Sequence, residues 1–153
     1  MADDGFSIEY DENWTMLSQR LATFGEKVAK QVTVSALKES ALFMKHEAIL
    51  YAHRSEEIHK LLVNGSYIEI QPGNLKDHIR YGRIRQQYLE KGEVGYRVYV
   101  AIKIAWYAKF VEFGRSGMAP IPFMRPAFEH NFDKLARIFI EMVDQAILEG
   151  GFQ

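Results

Sequence analysis

A backbone that carries several prolines close together has few ways to fold, because each proline fixes its own φ, donates no hydrogen bond and pushes the residue before it towards an extended conformation. Here three of the four prolines fall within residues 106–128, together with Gly114, Gly117 and five of the eighteen Phe and Tyr residues. Before the prolines, Tyr107, Ala108 and Val111 recur with Ile104 at helical spacing, while Lys109 and Glu112 fall on the other side, which predicts a short helix over 104–114. Gly114 ends it, since glycine alone closes a helix at positive φ without a Cβ clash. Pro120 and Pro122 make 115–122 a stiff extended loop. Pro126 is tolerated in the first turn of a new helix, whose start is placed near 123–125. Residues 106–128 thus read as helix, rigid loop, helix.

The C-terminal helix, 123–149, carries Met124, Phe128, Phe132, Leu135, Phe139, Met142 and Ala146 on one stripe. Its other side pairs Asp133 with Arg137 and Arg137 with Glu141, and Gly150-Gly151 ends it. Residues 13–55 are helical as well. Asn13 reads as a cap, Leu17, Leu21, Phe24 and Val28 as one stripe, Gly25 as a bend or division, and Val34, Leu37, Ala41, Met44, Ala48 and Tyr51 as the stripe that continues. Residues 1–12 are a loose arm or edge strand, from the alternation Phe6-Ser7-Ile8-Glu9-Tyr10. Ile58, Leu61 and Leu62 suggest a helical turn that Asn64-Gly65 breaks.

Antiparallel strands are expected over 66–103. Tyr67 to Ile70 opens them, Pro72-Gly73 turns, 75–85 returns extended with a bulge at Gly82, and Glu90-Lys91-Gly92-Glu93 forms a hairpin tip. In 95–103, Tyr96, Val98, Val100 and Ile102 take one face and Arg97, Tyr99, Ala101 and Lys103 the other. The expected architecture is a single α+β domain over 1–153, a small antiparallel sheet packed against a long N-terminal and a long C-terminal helix.

A chain of 153 residues that is 48% hydrophobic supports one core and needs no second domain. Its formal net charge of −1 favours neither a general nucleic-acid binder nor an acidic tail. There is no cysteine, which excludes disulfides, thiolate metal sites and a cysteine nucleophile. The start lacks the basic and apolar regions of a secretion signal, and no run approaches the roughly 20 apolar residues of a membrane span. These features lead us to expect an intracellular product or something assembled from one.

Catalytic patterns are missing from the sequence. His46 and His53 stand seven apart, about 10 Å by helix rise and too far to share one ion. His59, His78 and His130 have no ligand at close spacing. No phosphate loop, dinucleotide fingerprint or nucleophile elbow occurs, so neither an enzyme nor a cofactor is expected. The run Lys76, His78, Arg80, Arg83 and Arg85 places five potential cations within ten residues, beside Tyr81 and Tyr88. Such a strand can bind a nucleic-acid backbone or face acidic neighbours, and the near-zero overall charge favours the second.

The segment Phe-Val-Glu-Phe-Gly at 110–114, then a short polar loop, Pro-Phe-Met-Arg-Pro-Ala-Phe at 122–128 and a long amphipathic helix resemble the family of phage neck proteins typified by the tenth gene product of phage HK97. Pro72 to Ile79 is similar to the segment that opens that family's sheet, so the resemblance covers residues 72–147, about half of the chain. Arg115 stands where the family usually has Thr, and Met-Ala-Pro-Ile-Pro at 118–122 is a variant of its proline loop. The resemblance implies a structural virion protein of a long-tailed phage, needed for head-tail joining or tail completion. It implies a self-assembled sixfold ring in the neck or tail end, built in the host cytoplasm. Its implied neighbours are a head connector and tail-terminator or tail-tube proteins, with DNA passing through without sequence-specific binding. Glu112, Arg115, Ser116 and Met118, with Arg80, Arg83 and Arg85, are the candidate subunit contacts. Phe113, Gly114, Pro120, Pro122, Phe123, Arg125 and Pro126 form the structural motif. The alternative is a nucleic-acid-binding module using the basic strand at 76–85.

Overall fold

The computed structural model describes residues 12–150 apart from 102 and 104, so the strand expected at Phe6 to Tyr10 lies outside the described residues. Two long helices form the frame: α2 (Glu26–Tyr51) and α5 (Met124–Leu148). A shorter helix, α1 (Glu12–Ala22), precedes them, and Gly25 at φ 82 and ψ 157 separates it from α2, which makes the division that the glycine predicts. Asn13, expected as a cap, is a correction, because position 13 already falls within α1.

The seam between α2 and α5 is rich in alanine. Ala36, Ala48 and Ala127 are fully buried, and Ala146 nearly so. Small side chains let helix axes approach towards the short end of the ~8–10 Å range. On α2 the C-terminal half buries Ala41, Met44 and Ala48 as its periodicity predicts. The N-terminal half instead buries Val32, Ala36 and Ser40, leaving Val34 and Leu37 half-exposed, while Tyr51 is exposed. That half faces two partners, α1 and α5, and the line between them selects the buried face. On α5 the fully buried positions are Ala127, Val143 and Ala146, with Met124, Phe128, Leu135, Phe139 and Met142 packed around them. Within α5, among the described residues, Arg125 pairs with Glu129 at 3.5 Å, one turn or more before the pairs that spacing predicts.

The strands form two antiparallel ribbons. Strand β1 (His59–Val63) pairs with β2 (Ser66–Ile70) through a turn in which Asn64 and Gly65 have φ 51 and φ 80. Two positive φ values in a two-residue loop are what a type I′ hairpin requires, and Asn-Gly supplies them. The helical turn expected over Ile58, Leu61 and Leu62 is therefore corrected: positions 61 and 62 lie in β1, and Ile58 stands just before it. Strand β3 (Ile79–Arg83) pairs with β4 (Tyr96–Val100), with Gly82 opposite Arg97 and no interruption of register, so the predicted bulge does not form. Ahead of β3, Pro72-Gly73 turns as expected, with Gly73 at φ 84, but residues 74–77 then make one helical turn, α3 (Asn74–Asp77), instead of extended chain. Glu90 and Glu93 close the turn at the far end of the second ribbon, where the Glu93 amide donates to the Glu90 carbonyl at 3.1 Å.

Burial along β4 alternates as predicted, with Tyr96, Val98 and Val100 turned inward and Arg97 and Tyr99 outward. Ile79, Val98 and Val100 join Met44, Ala48, Ala105, Ala108, Phe123 and Ala127 in the larger core, where α2 covers one side of this ribbon. A smaller core at the other end gathers Leu17, Val32, Ala36, Val143 and Ala146. Among the described residues, no helix is long and apolar enough to cross a membrane.

Candidate functional site

The proline-rich stretch folds into α4 (Ala108–Phe113), a loop and the start of α5, so α4 begins later than the predicted 104. Helix α5 opens at Met124 with Phe123 as its cap residue and no capping side chain of its own. Its free N–H groups are met from outside. Glu112 Oε2 accepts the amides of Phe123 at 2.8 Å and Met124 at 3.0 Å, and Oε1 accepts that of Arg125 at 2.9 Å. A carboxylate at this position satisfies orphan donors and complements the positive end of the helix dipole. Glu112 is consequently buried, which corrects the outward placement that helical spacing gives it beside Lys109. The signal that could have revealed this is the absence of Ser, Thr, Asp or Asn at 120–124, since a helix that brings no cap must find an acceptor elsewhere.

Gly114 follows α4 at φ 74 and ψ 178, a region essentially reserved for glycine. A Cβ there would stand 2.9 Å from the Met118 carbonyl oxygen and 3.0 Å from two atoms of Pro120, so the loop packs against the glycine itself. Arg115 and Met118 exchange backbone hydrogen bonds of 3.0 and 2.9 Å around Ser116 and Gly117, a two-residue hairpin with Gly117 at φ 77. Between Pro120 and Pro122, the Ile121 amide donates to the Val111 carbonyl at 2.7 Å and ties the loop back to α4. Pro126 sits in the first turn of α5, as predicted.

Of the motif residues, Phe123 is buried at the centre of the larger core, whereas Phe113 is 77% exposed and does not belong to the core as its apolar character suggests. Arg115, Ser116 and Met118 all face solvent, and the Arg115 guanidinium lies 5.6 Å from the Phe110 ring centre. Beneath the tip is a mostly apolar cavity of about 470 Å³, walled by Trp106, Tyr107, Phe110 and Val111 on one side and by His53, His59 and Ile70 on the other. At its rim the Ser55 Oγ and His59 Nε2 stand 2.6 Å apart. The pair resembles a nucleophile and its base, but the same hydroxyl lies 2.8 Å from the Glu57 carbonyl and takes the Glu57 amide at 3.2 Å, the pattern of a local serine turn. Among the described residues, no group of three His, Asp or Glu side chains is placed to hold a metal ion.

The basic run is divided by the ribbon. Arg80 pairs with Tyr99 on the outer face, Arg83 pairs with Tyr96 on the opposite face, and Arg85 lies beyond the strand. The outer face gains a cation from β4, since the Arg97 guanidinium stacks 4.7 Å from the centre of the Tyr99 ring. Compared with known proteins, the chain matches no family model, no curated protein sequence and no solved structure.

Proposed function

We propose that the protein is a structural component of a tailed-phage virion, a ring subunit at the head-tail junction or upper tail end that is needed to join head to tail. The observation that carries this reading is the clamp at residues 110–126, where Glu112, Gly114 and the Ile121–Val111 hydrogen bond fix an exposed tip, Arg115 to Met118, at a set angle between two helices. The two halves of the family-like motif, Phe-Val-Glu-Phe-Gly and Pro-Phe-Met-Arg-Pro, are the two sides of that clamp. Rigid presentation of a small polar tip suits docking to a neighbour, with connector and tail proteins as the partners and the genome passing through the bore without base recognition.

The test is removal of the gene from the phage that carries it. DNA-filled heads and unattached tails should accumulate under the electron microscope. Wild-type protein supplied in trans should restore joining, and a folded Arg115→Ala, Met118→Ala double variant should not. Normally tailed, infectious particles without the protein would end this reading.

The second reading, a nucleic-acid-binding module, is favoured by the outer face of Arg80, Arg97 and Tyr99, where cations and an aromatic ring lie together on exposed strand. Tight duplex binding whose affinity falls steeply with salt would support it over the first.

A further inference from the structure

The hairpin β1–β2 is poorly covered for a two-stranded element. Tyr67 is 73% exposed, Ile68 40% and the preceding Ile58 50%. Isolated two-stranded hairpins are marginal in water and need an apolar neighbour to be stable. The hairpin rises from the wall of the cavity that contains Tyr107, Phe110 and Val111. A second, shallower groove of about 620 Å³ is lined by Val100, Ala108, Phe113, Phe123 and Phe128, with Lys109 and Arg125 at its edge. At 100° per residue, positions 107, 110 and 111 and positions 108, 109, 112 and 113 point to opposite sides of α4, roughly half a turn apart. One chain therefore carries an uncovered apolar projection on one side of a helix and an uncovered apolar groove on the other.

We infer that the β1–β2 hairpin of one copy seats in the Phe113 groove of the next, a head-to-tail contact between copies of this chain. The inference rests on the ring reading above and names the contact that would build it. Because the two surfaces lie on opposite sides of α4, the contact is not reciprocated between two copies and propagates into a closed ring or an open filament. Charge agrees: at the root of the hairpin Glu56 and Glu57 outnumber Arg54, all three exposed, while Lys109 stands exposed at the groove. Arg125 is already paired with Glu129 and Glu112 is committed to the start of α5, whereas the Lys109 ammonium rests 5.0 Å from the centre of the Phe110 ring and has no carboxylate partner among the described residues, which leaves it to meet those carboxylates.

The chain contains no cysteine, so introduced thiols are unique reporters. Full-length Tyr67→Cys and Phe113→Cys proteins, both altered at exposed positions, are mixed, oxidised and separated by mass. The expected result is 67–113 cross-linked dimer well beyond the proportion that random collision gives. A single chain carrying both changes should form a ladder of higher oligomers. Dominant 67–67 or 113–113 products would overturn the proposal in favour of a symmetric contact, as would a random mixture. A Phe6→Cys protein that cross-links to position 113 more efficiently than Tyr67→Cys does would overturn it by assigning the groove to the N-terminal arm. Failure here with head-tail joining still dependent on the protein removes this contact and leaves the ring reading in place. A 67–113 cross-link in a protein dispensable for joining does the reverse.

Discussion

Glu112 carries more structural consequence than any other charged side chain described, because three amides of a different helix converge on its two carboxylate oxygens. Replacing it with alanine leaves the buried Phe123 amide without an acceptor and removes the charge from the helix terminus. The expected cost is about 2–3 kcal/mol, read as a lower denaturation midpoint with an unchanged slope. A loss below the scatter of the measurement would mean that water replaces the carboxylate at no cost. Gly114 and Phe123 were legible from sequence as a helix stop and a helix start. The partner of Glu112 was not, because helical periodicity sorts residues by polarity. It places a carboxylate outside whether or not another segment brings donors to it. Phe113 is the converse case, an aromatic ring whose type suggests the core and which stands in solvent.

The long amphipathic elements were readable because their burial repeats along the chain. α2, α5 and the alternation of β4 follow from spacing alone. What spacing does not specify is which neighbour claims which face, and so the stripe on α2 shifts from Val34 and Leu37 to Val32 and Ala36 where α1 and α5 both press on it. In the hairpin β1–β2, the strand at Tyr67 to Ile70 is legible from its alternation, but β1 is not: three apolar residues read as a helical turn when the Asn-Gly signal beside them is taken as a break instead of a type I′ turn. The α2–α5 seam gives a direct test of close packing. Ala127→Leu should cost about 1–3 kcal/mol through overpacking, whereas Leu148→Ala, at a position 81% exposed, should stay within about 0.5 kcal/mol of wild type. Equal effects at the two positions, followed by denaturant unfolding, would show that the helices are not in tight register.

At the scale of the whole molecule, two cores of unequal size sit towards opposite ends of the α2–α5 pair. The smaller one holds α1 by Leu17, by Leu21 and by an exposed Arg20–Asp144 ion pair at 3.1 Å, which is worth well under 1 kcal/mol or so. Hydrogen exchange should therefore show α1 amides opening locally, while those around Met44, Ala48 and Ala127 exchange only when the whole chain unfolds. Uniform protection across both ends would contradict this division. The clamp, the β3–β4 ribbon and the cavity all border the larger core, and their coexistence there was invisible in sequence because residues 44–52, 75–79, 98–100, 105–111 and 123–135 meet only after folding. The alanine seam has a mechanical meaning. A 26-residue helix is about 39 Å long, and with its neighbour locked against it by side chains too short to bend aside, the pair behaves as a strut. A load taken at the clamp is delivered at the far end with little give between, and the first place free to yield is the glycine joint at Gly25, beyond which α1 can tilt as a separate foot.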